Sequence, residues 1–212
     1  MHDPAKIQLI MELRRGGIRD PRLLNVIETL PRELFVEQPF RARAYDNAAL
    51  PIAGGQTISQ PYAVAFMTQA LEVGPRMKVL EVGTGSGYQA AVLSRLCRRV
   101  YSVERYRSLH DRAEERFRAL GIHNITSRHG DGMKGWPEQA PFERILVTAA
   151  ASRIPTTLVD QLAEGGVMVF PLEKNPGAQV IMRLTRTAKR IETCEMIPTR
   201  FVPLVEGVAQ DG

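Results

Sequence analysis

Cysteine is nearly absent from this chain: Cys97 and Cys194 are the only two in 212 residues. They are closely spaced neither with each other nor with the 4 scattered histidines, which excludes a zinc ribbon and a disulfide framework. We therefore expect a reducing, cytoplasmic setting and no metal. Aromatic residues make up 6%, with a single tryptophan, Trp136. No apolar run approaches the ~20 residues of a membrane-spanning helix, so no membrane partner is expected. The opening Met1-His-Asp-Pro-Ala-Lys6 lacks the basic-then-apolar pattern of a secretion leader. Internal repeats and low-complexity tracts are missing too. The net charge of +5 invites an acidic partner such as nucleic acid. Against that, acids are interleaved with the bases: Glu104, Asp111, Glu114 and Glu115 fall inside the densest basic stretch, Arg95 to Arg128. Mixed signs at helical spacing describe a solvated helix face, so no nucleic acid is expected. What is present is 44% hydrophobic and 24% charged residues in a chain of single-domain length, enough for a core without cross-links.

The N-terminal third reads as helical. Asp20-Pro21 is a start signal, with Asp as N-cap and Pro in the first turn, and Leu23, Leu24, Ile27 and Leu30 repeat at helical spacing. Pro31 stops that helix and opens another over residues 31–36. Tyr45 to Pro61, with Pro51, Gly54 and Gly55, reads as loop or short strands. A helix over 61–72 follows. Strands and helices then alternate: strand 77–82, helix 87–97, strand 99–104, helix 106–120 closed by Gly121, strand 125–129, strand 143–149, helix 155–163 and strand 166–170. Residues 179–185 and 191–202 read as a final strand pair. This pattern predicts an α/β fold: a doubly wound, mostly parallel, Rossmann-like sheet with an N-terminal helical extension. Its ligand crevice belongs at the carboxyl ends of the strands.

The most informative run is Leu80-Glu-Val-Gly-Thr-Gly-Ser-Gly-Tyr88, between the first strand and the next helix. Glycines there let the backbone turn sharply and approach a ligand. The spacing is G-x-G-x-G, and Tyr88 stands where a dinucleotide-binding loop has its third glycine. No Gly-Lys-Ser/Thr follows, so it is not a P-loop. Glu104 closes the second strand, where a carboxylate can accept hydrogen bonds from both ribose hydroxyls. Gly130-Asp131-Gly132 follows the third strand; Asp131 can bond an exocyclic amine while the glycines leave room for an adenine. Each feature alone reads as a cap, a strand-end charge or an ordinary turn. At the ends of three successive strands they fit an adenosine-containing ligand without phosphates, of which S-adenosylmethionine is the common one.

Four blocks carry a resemblance: Gly55-Gln-Thr-Ile-Ser-Gln-Pro61, Leu80 through Ala91, Gly130-Asp-Gly132 with Gly135-Trp136, and Ala140-Pro-Phe142 with Val147-Thr-Ala-Ala-Ala151. They resemble the protein-L-isoaspartate O-methyltransferase family, from about Leu24 to Leu204. The resemblance implies a methyltransferase that moves a methyl group from S-adenosylmethionine to the α-carboxyl of isoaspartyl residues in damaged proteins and peptides. S-adenosylhomocysteine is left as product, and the ester opens a route back to aspartate. It implies Ser59 as the active-site serine, with Thr57, Ile58 and Gln60 beside it on the substrate side. It implies Glu81, Gly83, Thr84, Gly85, Gly87, Glu104, Arg105, Gly130, Asp131 and Gly132 around the cofactor. Thr199 to Leu204 resembles the segment that helps close the site; the chain departs at Thr199, where cysteine is commoner, and in its short tail after Leu204. On this reading residues 1–212 are a single domain and a monomer. Residues 1–60 form its helical, substrate-side segment, and 61–212 form the cofactor-binding core with the C-terminal strands.

The chemistry suits these residues. A substrate carboxylate with pKa near 4 is already ionised at neutral pH, so no general base, metal or covalent intermediate is required. Ser59 reads either as a cap of the following helix or as a carboxylate donor. His129 reads as a strand-end histidine satisfied by its surroundings, Cys97 and Cys194 as helix-face and strand residues, and Trp136 as either adenine wall or core. Among alternatives, an amino-methylating nucleic-acid enzyme would carry Asn/Asp-Pro-Pro-aromatic after the fourth strand, where this chain has Ala149-Ala-Ala-Ser-Arg153. Cytosine-carbon methylation needs Pro-Cys, and neither cysteine follows proline. An adenosine-binding regulatory module would need the glycine loop but not residues 55–61, and Tyr88 disfavours a nicotinamide enzyme.

Overall fold

A computed structural model describes residues 4–210. Two helices come first, α1 (Pro4–Arg15) and α2 (Pro21–Thr29). The Asp20 side chain caps α2 by accepting from the Arg22 N–H at 2.9 Å, as the Asp-Pro signal predicts. A helix was expected over 31–36. The chain instead makes one 3-10 turn over Arg32–Phe35, pinned by the buried side chains of Arg32 and Phe35 and too short for an α-helix. A two-residue antiparallel ladder follows, β1 (Leu50–Pro51) with β2 (Thr57–Ile58), then α3 (Pro61–Leu71).

The main sheet holds β3 (Lys78–Val82), β4 (Arg99–Glu104), β5 (Ile125–His129), β6 (Phe142–Val147), β7 (Leu162–Asn175), β8 (Ala178–Arg186) and β9 (Ile191–Thr199). Its order is β5-β4-β3-β6-β7-β8-β9. The pairs from β5 to β7 are parallel, and β8 and β9 are added antiparallel. The connections are α4 (Tyr88–Ser94), α5 (Arg107–Ala119) and the short α6 (Thr156–Asp160). Along β3, β4, β6 and the middle of β7 both faces are buried, so side chains part by alternation, whereas β9 is mostly exposed. Val79, Val100, Leu146 and Val167 join the core beneath α1–α5, whereas Leu80, Val103, Ile145 and Met168 join the core that includes Leu158 of α6 and, packed against it, Trp136. The winding direction reverses between β3 and β6, and this places a crevice at their carboxyl ends.

Two other boundaries differ from expectation. The sequence pattern predicts a helix over 155–163 and a strand over 166–170, but β7 already begins at Leu162, which pairs with Phe142. Leu158, Val159 and Leu162 are apolar at helical spacing, yet Leu162 is buried as a strand residue. Gly165 at φ 73° then marks the shift of register before the strand resumes. Likewise β9 ends at Thr199, and 200–202 leave the sheet. Helix α4 stops at Ser94, so Cys97 lies in the turn beyond it rather than on a helix face.

Gly121 closes α5 as expected: at φ 61° its N–H reaches the Arg118 carbonyl, while Ile122 N–H reaches that of Phe117. Gly87 is more constrained. At φ 89°, a Cβ there would sit 2.9 Å from Phe117 and 3.2 Å from Ala113 on α5. Left-handed strain costs about 1–2 kcal/mol, and overpacking adds about 1–3. Gly87→Ala should therefore destabilise the protein by about 2–4 kcal/mol, against about 1–2 for Gly121→Ala, whose Cβ would meet open space. Urea unfolding compares the two; an equal or larger loss at Gly121 contradicts the packing described.

Candidate active site

The crevice at the carboxyl ends of β3, β4 and β6 encloses about 810 Å³, counted out to its open mouth. One wall is the loop after β3. Gly83, Gly85 and Gly87 all take positive φ, and the loop is tied to β4 by Glu104, which is 4% exposed. Glu104 Oε2 accepts the Gly85 N–H at 2.7 Å and Oε1 accepts the Tyr106 N–H at 3.0 Å. A Cβ on Gly83 would strike Thr148 Oγ1 at 2.4 Å, and one on Gly132 would strike Val82 at 2.4 Å. At Gly85 it would meet only Ile52, at 3.7 Å. Gly83 and Gly132 are thus demanded by packing, whereas Gly85 borders the cavity with room beside it.

Of the residues singled out in the sequence, Thr57, Ile58, Ser59, Gly83, Thr84, Gly85, Glu104, Arg105 and Gly132 line this crevice. Gln60, Glu81, Gly87, Gly130 and Asp131 do not. Gln60 is the N-cap position of α3 and makes no side-chain cap; Ser59, one residue earlier, does not cap the helix either. Asp131 is spent in part on its own turn, with Oδ1 accepting the Met133 N–H at 2.9 Å. His129 points elsewhere, its Nε2 bonded to the Arg105 carbonyl at 3.1 Å. Trp136 belongs to the core: it meets Tyr101 edge-on and lies 4.3 Å beneath the Arg128 guanidinium.

Sequence reasoning passed over several lining residues. Tyr106 and Thr148 follow the carboxyl ends of β4 and β6, where the strand-end rule would have found them. Thr199 to Leu204, which by resemblance helps close the site, does reach it: Val202, Pro203 and Leu204 line the crevice, and Val205 extends that lining. Val202 to Val205 cover one side of the crevice, fastened to the segment just after β6 by Ala150 N–H to Val202 O (2.8 Å) and Leu204 N–H to Ala150 O (2.7 Å). Further on, Ala209 N–H reaches Arg105 O at 2.9 Å, so this strap crosses from the end of β6 to the end of β4. Among the described residues, no group of three or more His, Cys, Asp and Glu could hold a metal ion.

A family profile described as protein-L-isoaspartate(D-aspartate) O-methyltransferase matches residues 4–209. The chain belongs to that family. It is 61% identical over 211 residues to a protein-L-isoaspartate O-methyltransferase of Parvibaculum lavamentivorans, covering 99% of this chain and 95% of that one. To the Paramagnetospirillum magneticum protein of the same name it is 59% identical over 210 residues, covering 99% and 98%. Among solved structures, a protein-L-isoaspartate O-methyltransferase superposes with a TM-score of 0.83 at 30% identity, over 93% of this chain and 65% of that one. A Plasmodium falciparum protein assigned to the same family, solved with S-adenosyl-L-homocysteine, gives 0.82 at 26% identity over 96% and 99%. Family membership carries the reaction class: methyl transfer to protein carboxyl groups from S-adenosylmethionine.

Beneath the glycine loop of this methyltransferase lies a buried acid. Glu81 is wholly enclosed; Ser102 donates to its Oε2, and Ser102 in turn shares a 2.6 Å hydrogen bond with Thr84 of the loop. Oε1 has no partner. Burial, reinforced by the nearby Glu104 charge, pushes its pKa up to about 8, although the Ser102 bond opposes the shift. Glu81 is therefore neutral at pH 7. Because the folded state holds this proton more tightly than the unfolded chain does, the contribution to stability is full below about 4.5 and is lost as pH rises towards about 8. Glu81→Gln is neutral at every pH, so its stability relative to wild type should climb between pH 5 and 8. Parallel pH–stability curves in denaturant unfolding would show that Glu81 is ionised in the native state.

Proposed function

We propose that this crevice aligns S-adenosylmethionine with the α-carboxylate of an isoaspartyl residue in a damaged protein or peptide, Ser59 orienting the carboxylate and Glu104 receiving the ribose. One observation carries the reading: Ser59 from the β2–α3 junction and Glu104 from the end of β4 line the same crevice, beside a glycine loop. The residues suit the cofactor. Each Glu104 oxygen already accepts one backbone N–H and keeps acceptor capacity for one ribose hydroxyl. Gly83, Thr84 and Gly85 offer a close backbone approach, Arg105 flanks Glu104, and we assign the Gly130–Gly132 turn, with Asp131, to the adenine side, where Gly132 alone of the three lines the crevice. Thr57, Ile58 and Gln60 position the peptide, and residues 1–60 form the substrate side of a single domain. For Glu81 and Gly87 we assign support of the loop, since both lie outside the crevice lining.

When bound, S-adenosylmethionine supplies a methyl carbon on a sulfonium, an electrophile with a neutral leaving group. The protein's part is to hold the carboxylate in line and to keep water out. Alignment of reacting groups supplies up to roughly 7–11 kcal/mol. Ser59 Oγ donates to the carboxylate oxygen that does not attack, and the Val202–Val205 strap gives the crevice an apolar roof. No side chain has to take a proton. The backbone nitrogen of the following residue can displace methanol from the resulting ester to close a succinimide, which water reopens to aspartate in part, and this makes it a repair activity. We take the enzyme to act in the cytoplasm as a monomer, without nucleic-acid or membrane partners. Its two free cysteines suit a reducing compartment, and among the described residues no helix is long and apolar enough to cross a membrane.

Transfer of labelled methyl groups to an isoaspartyl peptide, its aspartyl counterpart and RNA tests the reading; label should enter the first alone. Ser59→Ala should lose about ten- to hundredfold in kcat, the worth of one hydrogen bond to an anion at about 1.5–3 kcal/mol, with cofactor affinity unchanged. The wild-type rate should be nearly flat from about pH 6 to 8, since no base must lose a proton. Wild-type activity in Ser59→Ala would remove the orienting role. A tenfold rise per pH unit between 6 and 7 would reveal a base and overturn the alignment mechanism.

A further inference from the structure

Arg32 is an anomaly. Its side chain is completely buried, and among the described residues no carboxylate is paired with it. Burial works against its charge, with only tyrosine hydroxyls nearby to favour it. A buried cation without a counter-ion is costly, and an apolar side chain of similar size would fill the same space more cheaply. Its hydrogen bonds show what the charge does. Nε donates to the Ala44 carbonyl at 2.8 Å, and Nη2 donates to the Ser59 carbonyl at 2.8 Å. The guanidinium carbon lies over the ring of Tyr88, 4.6 Å from its centroid; Tyr88 is the first residue of α4 and part of the crevice wall. Nη1 and the Tyr88 hydroxyl are both buried and, beyond their approach to each other, have no partner.

Ser59 needs such a fastening. It lies past the end of β2 and before α3 begins, and α3 has no side-chain cap to fix its entry. The planar fork of Arg32 ties this residue to the 3-10 turn over 32–35 and to the helix that leaves the glycine loop. A lysine, with one compact charge on a flexible stem, cannot span both carbonyls while stacking on the ring.

We propose that Arg32 is a positioning residue for methyl transfer: by tying the Ser59 carbonyl to a guanidinium seated over the Tyr88 ring, it fixes where the Ser59 hydroxyl meets the substrate carboxylate. The proposal rests on the role assigned to Ser59 above. Arg32 touches neither substrate nor cofactor, since it lies behind the crevice wall.

The test is a double-mutant cycle of Arg32→Lys and Ser59→Ala. It uses kinetics on an isoaspartyl peptide, and direct binding of that peptide and of S-adenosylhomocysteine by calorimetry. Arg32→Lys alone should lower kcat about ten- to hundredfold, with both dissociation constants within about twofold of wild type. In the Ser59→Ala background the same change should cost no more than about twofold further, because the hydroxyl it positions is gone. A full multiplicative loss in that background, or a cofactor affinity that falls with kcat, would make Arg32 a general support and overturn the proposal while leaving Ser59 in place. A Ser59→Ala enzyme as active as wild type would instead remove the reading beneath it, and the proposal with it. If Arg32→Lys does not fold, Tyr88→Leu removes the stacking partner in its stead and must show the same non-additivity with Ser59→Ala.

Discussion

The Glu104 carboxylate, gripped by two backbone N–H groups, is the contact on which the rest of the crevice depends. It is almost fully enclosed at the end of β4, where an unsolvated charge would be expensive without those donors. With them it joins the middle of the glycine loop to the start of the β4–α5 connection. The loop must then hold Gly83 at φ 98° and Gly85 at φ 53°, conformations that side chains rarely adopt. The strap closes over the same place: Arg105, next in sequence, accepts the Ala209 N–H and the His129 ring on its carbonyl. One carboxylate therefore fixes the floor of the site, and its neighbour fixes the roof.

Two acids at this site have opposite natures. Glu104 accepts two backbone N–H groups, whereas Glu81, one strand away, is deprived of solvent and held neutral by burial. Keeping Glu81 uncharged avoids a second negative charge beside the first. His129, at the end of β5, spends its ring on a carbonyl, and the crevice lining holds no imidazole. The architecture thus invests in placement rather than in proton transfer, as a reaction between an ionised carboxylate and a sulfonium methyl group requires.

Much of this is legible in the sequence. The strand-and-helix alternation from Lys78 to Phe170 shows because both faces of the sheet are covered, so its strands are short, nearly continuous apolar runs. Glu104 and the loop glycines are found by their places at strand ends. Other features escape because their causes are not local. Leu162 fits a helix or a strand equally well, and only its pairing with Phe142 decides. Thr199 to Leu204 is legible only through the resemblance, because Val202 and Leu204 reach the crevice through bonds to Ala150, some fifty positions earlier, and the strap's far end returns to Arg105. Arg32 looks like one more surface arginine among many, since nothing nearby announces burial. Glu81 could have been placed better: it shares strand parity with Val79, which packs beneath the helices, so it faces inward under the loop rather than outward to a ligand.

A crystal structure of the complex with S-adenosylhomocysteine tests the central claim most directly. The account predicts both ribose hydroxyl oxygens at ~2.5–3.0 Å from Glu104 Oε1 and Oε2, with the bonds from Gly85 and Tyr106 retained. A ribose bound away from Glu104, leaving the carboxylate bonded only to the backbone, would contradict it.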